Sequence, residues 1–132
     1  MAKIAFLYKI FKGNSYPIIP IQIHTPEGYK EVEGYVDSGA TVSIFTIKEA
    51  ERLKINYQKG KTIYSTVGDG SIIPVYLHKL KVKIGSYQFK ATVGFSPRLG
   101  VGFNLIGRQD FFTHFDITFS DTTRTITFLP QS

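Results

Sequence analysis

The chain contains no cysteine. That removes cysteine nucleophiles, cysteine-ligated zinc and disulfide frameworks together, and it gives no sign of an oxidising compartment. His24, His78 and His114 lie far apart with no i,i+4 spacing, so no metal site is expected. There is no G-x-S-x-G elbow, no phosphate-binding loop and no dinucleotide fingerprint. Gly100-Val101-Gly102 lacks the strand and helix that such a fingerprint needs and reads as a loop near a cleft wall. No cofactor is expected. No window approaches about 18 uninterrupted apolar residues, so no membrane span is expected. The apolar run Ile4–Tyr8 is cut by Lys9 and Lys12 and no small-residue cleavage site follows. An export signal is therefore not expected, and the cytoplasm is the expected location. Helix formers are scarce as well: Ala and Leu together number 12, against 55 for Ile, Val, Phe, Tyr and Thr.

That balance favours pleated, half-buried surfaces. The length of 132 residues suits one domain over residues 1–132. With 42% hydrophobic and 20% charged residues the composition is globular rather than disordered. A chain of this size buries about two-thirds of its unfolded surface and needs no staple. Turn signals recur at Thr25-Pro26-Glu27-Gly28, Gly68-Asp69-Gly70, Gly85-Ser86 and Ser96-Pro97. Short strands at such intervals predict a mostly-β barrel or sandwich. Strands are predicted over Lys3–Phe11, Pro17–His24, Tyr29–Val36, Thr62–Val67, Ser71–Pro74, Val75–Ile84, Tyr87–Phe95, Phe115–Phe119 and Thr125–Leu129. Thr46-Ile47-Lys48-Glu49 has the form of a capping box, with Thr46 as N-cap and Glu49 reaching back. It predicts a helix from Ile47 to about Lys54 that buries Ile47, Ala50 and Leu53. A second helix is predicted from Arg108 to about Thr113.

The net charge of +6 leaves room for an acidic partner but says little about chemistry. Lys79, Lys81 and Lys83 form a basic stripe, with Lys90 on the neighbouring strand. Such a stripe is more often a solvated face, or an edge guarded against aggregation, than a nucleic-acid site. No nucleic-acid partner is expected.

Three segments are candidates for chemistry. In Tyr35-Val36-Asp37-Ser38-Gly39-Ala40 a strand runs into a carboxylate, a small hydroxyl and a glycine. A turn there can hold the carboxylate with its oxygens outward, and the Gly39 amide can donate to it. The same residues also describe a plain Asx turn, and an Asp-[Ser/Thr]-Gly triplet arises by chance in roughly one chain in twenty of this length. Phe103-Asn104-Leu105-Ile106-Gly107-Arg108 reads equally as a buried strand entering a helix. Thr66-Val67-Gly68-Asp69-Gly70-Ser71 is an ordinary hairpin, or a mobile lid over a cleft.

Together and in this order, the three segments resemble the retropepsin-like aspartic proteases, single-domain relatives of pepsin that include retroviral proteases. Val36-Asp37-Ser38-Gly39-Ala40 matches the catalytic signature. Val67, Gly68, Asp69 and Gly70 stand at the glycine-rich flap, and Leu105, Ile106, Gly107 and Arg108 at the apolar-apolar-Gly-Arg motif. The resemblance covers about residues 17–129 and leaves residues 1–16 as an N-terminal extension: an added edge strand, part of a dimer sheet, or a plug. It implies a closed β-barrel of the acid-protease fold with one or two short helices. It also implies a homodimer that hydrolyses peptide or protein substrates with two Asp37 carboxylates, one from each chain. By the same resemblance Ser38 braces the pair, Gly39 contacts the substrate backbone and Ala40 packs beneath the site. Leu105, Ile106 and Gly107 pack behind the aspartates. Arg108 in relatives pairs with an acidic residue soon after the signature. Here Thr41-Val42-Ser43 follows Ala40 with no carboxylate, which leaves Asp110, Asp116, the partner chain, or no partner at all, Arg108 being then a solvated charge at a helix start. A non-catalytic dimerisation or peptide-binding module on the same fold is the main alternative. A basic nucleic-acid-binding β domain is the third, and it would show steep salt dependence.

Overall fold

The computed structural model describes residues 2–99 and 102–131. Gly100 and Val101, and with them most of the glycine loop singled out above, lie outside the described residues. The chain opens with β1 (Ile4–Leu7), β2 (Lys9–Phe11) and β3 (Asn14–Tyr16). The predicted strand Lys3–Phe11 is thus two strands, broken at Tyr8. Its second half turns back at Lys12-Gly13, where both residues have positive φ, +50° and +81°. This is the two-residue turn that suits the twist of a hairpin.

The main sheet uses β4 (Ile18–Thr25), β5 (Gly28–Val36), β6 (Ser43–Thr46), β7 (Lys61–Thr66), β8 (Ile72–Ile84), β9 (Tyr87–Ser96) and β10 (Asn104–Ile106). Its order is β4-β5-β10-β6-β9-β8-β7. β8 also pairs back onto β4, with Gln22 opposite Lys83 and Ile23 opposite Val82. The ladder therefore returns on itself, and β7 extends from it as one arm of a hairpin. Ser71–Pro74 and Val75–Ile84 form one continuous strand rather than two. The lysine stripe lies on this strand, where Lys81 faces Lys90 and Lys83 faces Gln88 of β9. Lys83 Nζ stands 4.5 Å from the ring centre of Tyr29.

β11 (Phe115–Ser120) and β12 (Thr125–Pro130) close the chain and join β1 in a separate sheet, ordered β1-β12-β11. Part of the N-terminal segment is thus an edge strand on β12. Phe115 fastens this sheet to the rest, with edge-to-face contacts to Tyr87 at 5.1 Å and Phe89 at 5.4 Å, both on β9. The core beneath both sheets is built from alternate residues of the strands, including Ile19, Ile21, Ile23, Phe45, Phe95 and Ile126.

The helix α1 spans Ile47–Arg52, close to its predicted extent, with Thr46 Oγ1 accepting from the Glu49 amide at 3.3 Å. Ala50 and Leu53 are buried, and Ile47 is half-buried. The reciprocal half of the capping box does not form. The Thr46 amide donates instead to Asn104 Oδ1 at 3.0 Å, and Glu49 engages Arg52 and Asn104. The second predicted helix is irregular. Arg108–Phe112 is broken at Gln109, with ψ 128°, and at Asp110, with φ +67°. Asp110 adopts the left-handed region because its carboxylate turns to accept from the Thr92 amide at 2.7 Å. His78 has a structural place, its Nε2 donating to the Tyr57 carbonyl at 2.8 Å. No helix among the described residues is long and apolar enough to cross a membrane.

Candidate active site

Asp37 stands where two strands end side by side. β5 carries Val36 to its end, and β10 runs parallel to it with Ile106 opposite Val36. The Asp37 amide donates to the Ile106 carbonyl at 2.9 Å. Beyond that point the chain turns, with Ala40 N donating to Asp37 O at 3.2 Å. Gly39 N donates to Asp37 Oδ1 at 2.8 Å, the contact expected from the sequence. One carboxylate oxygen is thus fixed by the turn, and the side chain remains half-exposed.

The Leu105-Ile106-Gly107-Arg108 segment lies directly behind this turn. Arg108 N donates to Ala40 O at 2.8 Å and Gln109 N to Thr41 O at 2.9 Å. Gly107 N donates to the buried hydroxyl of Ser43 at 2.9 Å. A Cβ on Gly107 would stand 2.5 Å from Val42 O and 2.8 Å from Ala40 O, so only glycine lets the two loops approach. The two motifs, 70 residues apart at Asp37 and Gly107, thus form one unit. Arg108 itself is exposed and makes no ion pair among the described residues. The tie behind Asp37 is made by Ser43 and the backbone rather than by an arginine–carboxylate pair, and Asp110 is engaged by the Thr92 amide.

Asn104, at the start of β10, is a second tie. It is 4% exposed and accepts from Thr46 N while donating to Glu33 O and Glu49 Oε1. Asn104→Leu keeps the size and orphans the Thr46 amide and the Glu33 carbonyl. The expected loss is about 2–4 kcal/mol in urea unfolding, from two unsatisfied groups.

The Val67–Ser71 tip is a tight exposed turn, with Val67 N donating to Ser71 O at 2.9 Å and Gly70 N to Val67 O at 2.8 Å. The hydroxyl and then the amide of Ser71 hold the Asp69 carboxyl below the usual carboxylate range. Gly70 has φ +87°, and Gly68 faces open space. Below the tip, Ile63, Val67, Ile73 and Val75 share a small core with Val42, Ile44 and Leu105. The hairpin therefore springs from apolar residues that flank the Asp37 turn.

On its other side, Asp37 with Ser38 opens onto a cleft of about 620 Å³. Its walls include Tyr35 and, from outside the motifs, Tyr8, Tyr16, Phe119, Asp121 and Arg124. Tyr35 stacks on Phe103 at 5.6 Å, and Phe11 and Tyr16 clamp the N-terminal hairpin onto this pair. Burial, then the charge of Asp37, pushes the Tyr35 hydroxyl up from its ordinary range. Burial and a 2.8 Å hydrogen bond to Asp121 push Tyr8 up to about 12. The only sequence signal for this cleft was the density of aromatic residues in residues 1–16 and around Tyr35.

The family profile for aspartyl proteases matches residues 19–108, from β4 through the Gly107 loop. The chain belongs to the aspartyl protease family. Its fold is similar to the crystal structure of a retropepsin-like aspartic protease from Rickettsia conorii, with a TM-score of 0.69 at 16% identity. That match covers 96% of this chain and 90% of the other. It is also similar to the EIAV protease in complex with the inhibitor HBY-793, with a TM-score of 0.55 at 18% identity, covering 76% of this chain and 88% of that one. No curated protein sequence matches. At these identities the likeness establishes the fold, and the retropepsin-like resemblance holds across both sheets.

Proposed function

We propose that the chain is an aspartic endopeptidase that works as a homodimer. The observation that carries this is the single Asp37, presented half-exposed on a turn held from behind by the Gly107 loop. The family profile and the fold support peptide hydrolysis in general terms. A second carboxylate is required, and a two-fold dimer supplies the partner's Asp37. Two carboxyl groups brought side by side hold one proton between them, because both do not ionise easily. The ionised carboxylate takes a proton from a water molecule, whose oxygen attacks the peptide carbonyl carbon. The protonated one donates to the carbonyl oxygen as it gains charge. Collapse of the tetrahedral species breaks the C–N bond and returns a proton to the leaving amine. In this reading Ser38 braces the pair, Gly39 meets the substrate backbone, Ala40 packs beneath, and Val67–Gly70 close over the peptide.

Dilution tests the two-chain requirement. Cleavage of a mixed peptide pool is expected to fall with the square of chain concentration once sedimentation shows dissociation, because a lone chain holds one carboxylate. A rate per chain that stays constant while the chain sediments as a monomer would overturn the reading. A dimer that cleaves nothing at any acidic or neutral pH would favour a binding module on this fold.

A further inference from the structure

Two copies that share a site at Asp37 must meet close to it. One flank of the Asp37 turn is taken by the β7–β8 hairpin, through Val42 and Leu105. The other flank is the 620 Å³ cleft, whose lining includes no residue of that hairpin. We propose that this cleft face is the isologous interface of the homodimer, and that Arg124 of each protomer pairs with the partner's Asp121. The proposal rests on the two-carboxylate reading above and specifies how the second chain is held.

A two-fold interface must be self-complementary: if residue i meets residue j, then j meets i. Asp121 and Arg124 stand at the two ends of one turn between β11 and β12, with opposite charge and on the same cleft. They do not pair with each other, and Arg124 makes no ion pair among the described residues. Asp121 Oδ1 accepts from the Tyr8 hydroxyl at 2.8 Å, which fixes the carboxylate on an exposed turn. The Arg124 carbonyl accepts from Tyr8 N at 2.8 Å, so Tyr8 anchors both ends of the turn. The backbone at Arg124 lies in the left-handed region, φ +55°, which asparagine or glycine would fill with less strain. Around the pair stand Tyr8, Tyr16, Tyr35 and Phe119, the last 39% exposed on the free edge strand β11. Aromatic residues with arginine, and few other charges, are the composition of interface centres rather than of ordinary surface.

Charge exchange tests this by mass rather than by activity. Arg124→Asp and Asp121→Arg each put two like-charge contacts into the dimer. Each is expected to raise the dissociation constant by about a hundredfold or more in sedimentation equilibrium. Mixed in equal amounts, the two variants are expected to form a heterodimer, since every pair is then restored. The double variant is expected to recover the homodimer, which separates the effect from a folding defect. Tyr8→Phe is expected to fold and to dimerise more weakly than wild type. Single variants that dimerise like wild type, or a mixture that stays monomeric, would overturn the interface. If they dimerise normally and only KM rises, the cleft belongs to the peptide. In both cases a wild-type dimer that loses activity on dilution keeps the two-carboxylate reading intact, whereas a wild type active as a monomer sinks that reading too.

Discussion

Asp37→Asn is expected to abolish peptide cleavage while leaving the chain folded. The substitution removes the charge and the exchangeable proton, keeps an acceptor at Oδ1 for the Gly39 amide, and changes almost no volume. The side chain is half-exposed, so the amide meets no burial penalty. In a dimer the change strikes both carboxylates at once, and no group is left to take the proton from water. The expected fall in kcat/KM is at least about 10⁴-fold, the scale of losing a positioned proton-transfer group on both sides of the reaction. Initial rates on a mixed peptide pool, scanned from about pH 3 to 7 where a shared-proton pair titrates, measure it, and a thermal melt within a few degrees of wild type confirms the fold. Excess Asp37→Asn chains added to wild type should also suppress activity, because mixed dimers carry one carboxylate. Retained cleavage in the variant would remove Asp37 from the reaction.

The parts legible in advance were those written in local pattern. Turn glycines marked the hairpins, including Gly85-Ser86 between β8 and β9, and Thr46 marked the start of α1. The Asp37, flap and Gly107 segments were visible because each has its own short signature. Contacts that join distant segments were not visible. β6 and β10 are short, three or four residues, and their strand state comes from pairing with β5 and β9 rather than from their own periodicity. Asn104 displaced Glu49 from the reciprocal cap by supplying an acceptor from 58 residues away. Asp110 broke the second helix for a tertiary hydrogen bond, which no helix propensity anticipates. Ser43, 64 residues from Gly107 and with no signature of its own, holds the Gly107 amide. Tyr8, Asp121 and Arg124 come to line one cleft with Asp37 only after β1 and β12 pair.

Gly107→Ala is expected to damage both fold and activity, and its cause differs from the usual one for glycine. Gly107 has φ −97°, a conformation open to any residue, so backbone freedom is not what it provides. It provides room. The new methyl would sit 2.5 Å from Val42 O, 2.6 Å from Val42 C and 2.8 Å from Ala40 O, all backbone atoms that cannot rotate aside. The loops must separate, and separation loosens the Gly107 bond to Ser43, the Arg108 bond to Ala40 and the Gln109 bond to Thr41. The cost is expected at about 2–4 kcal/mol in denaturant unfolding, the range for overpacking plus a disturbed buried donor. Those same bonds place Ala40, three residues beyond Asp37, so kcat per folded dimer is expected to fall as well. Gly68→Ala is the control: a methyl there meets nothing within 4 Å, and the expected change in stability is within about 0.5 kcal/mol. If Gly107→Ala proved as stable as Gly68→Ala and as active as wild type, the loop behind Asp37 would be a passive neighbour rather than what holds the carboxylate in place.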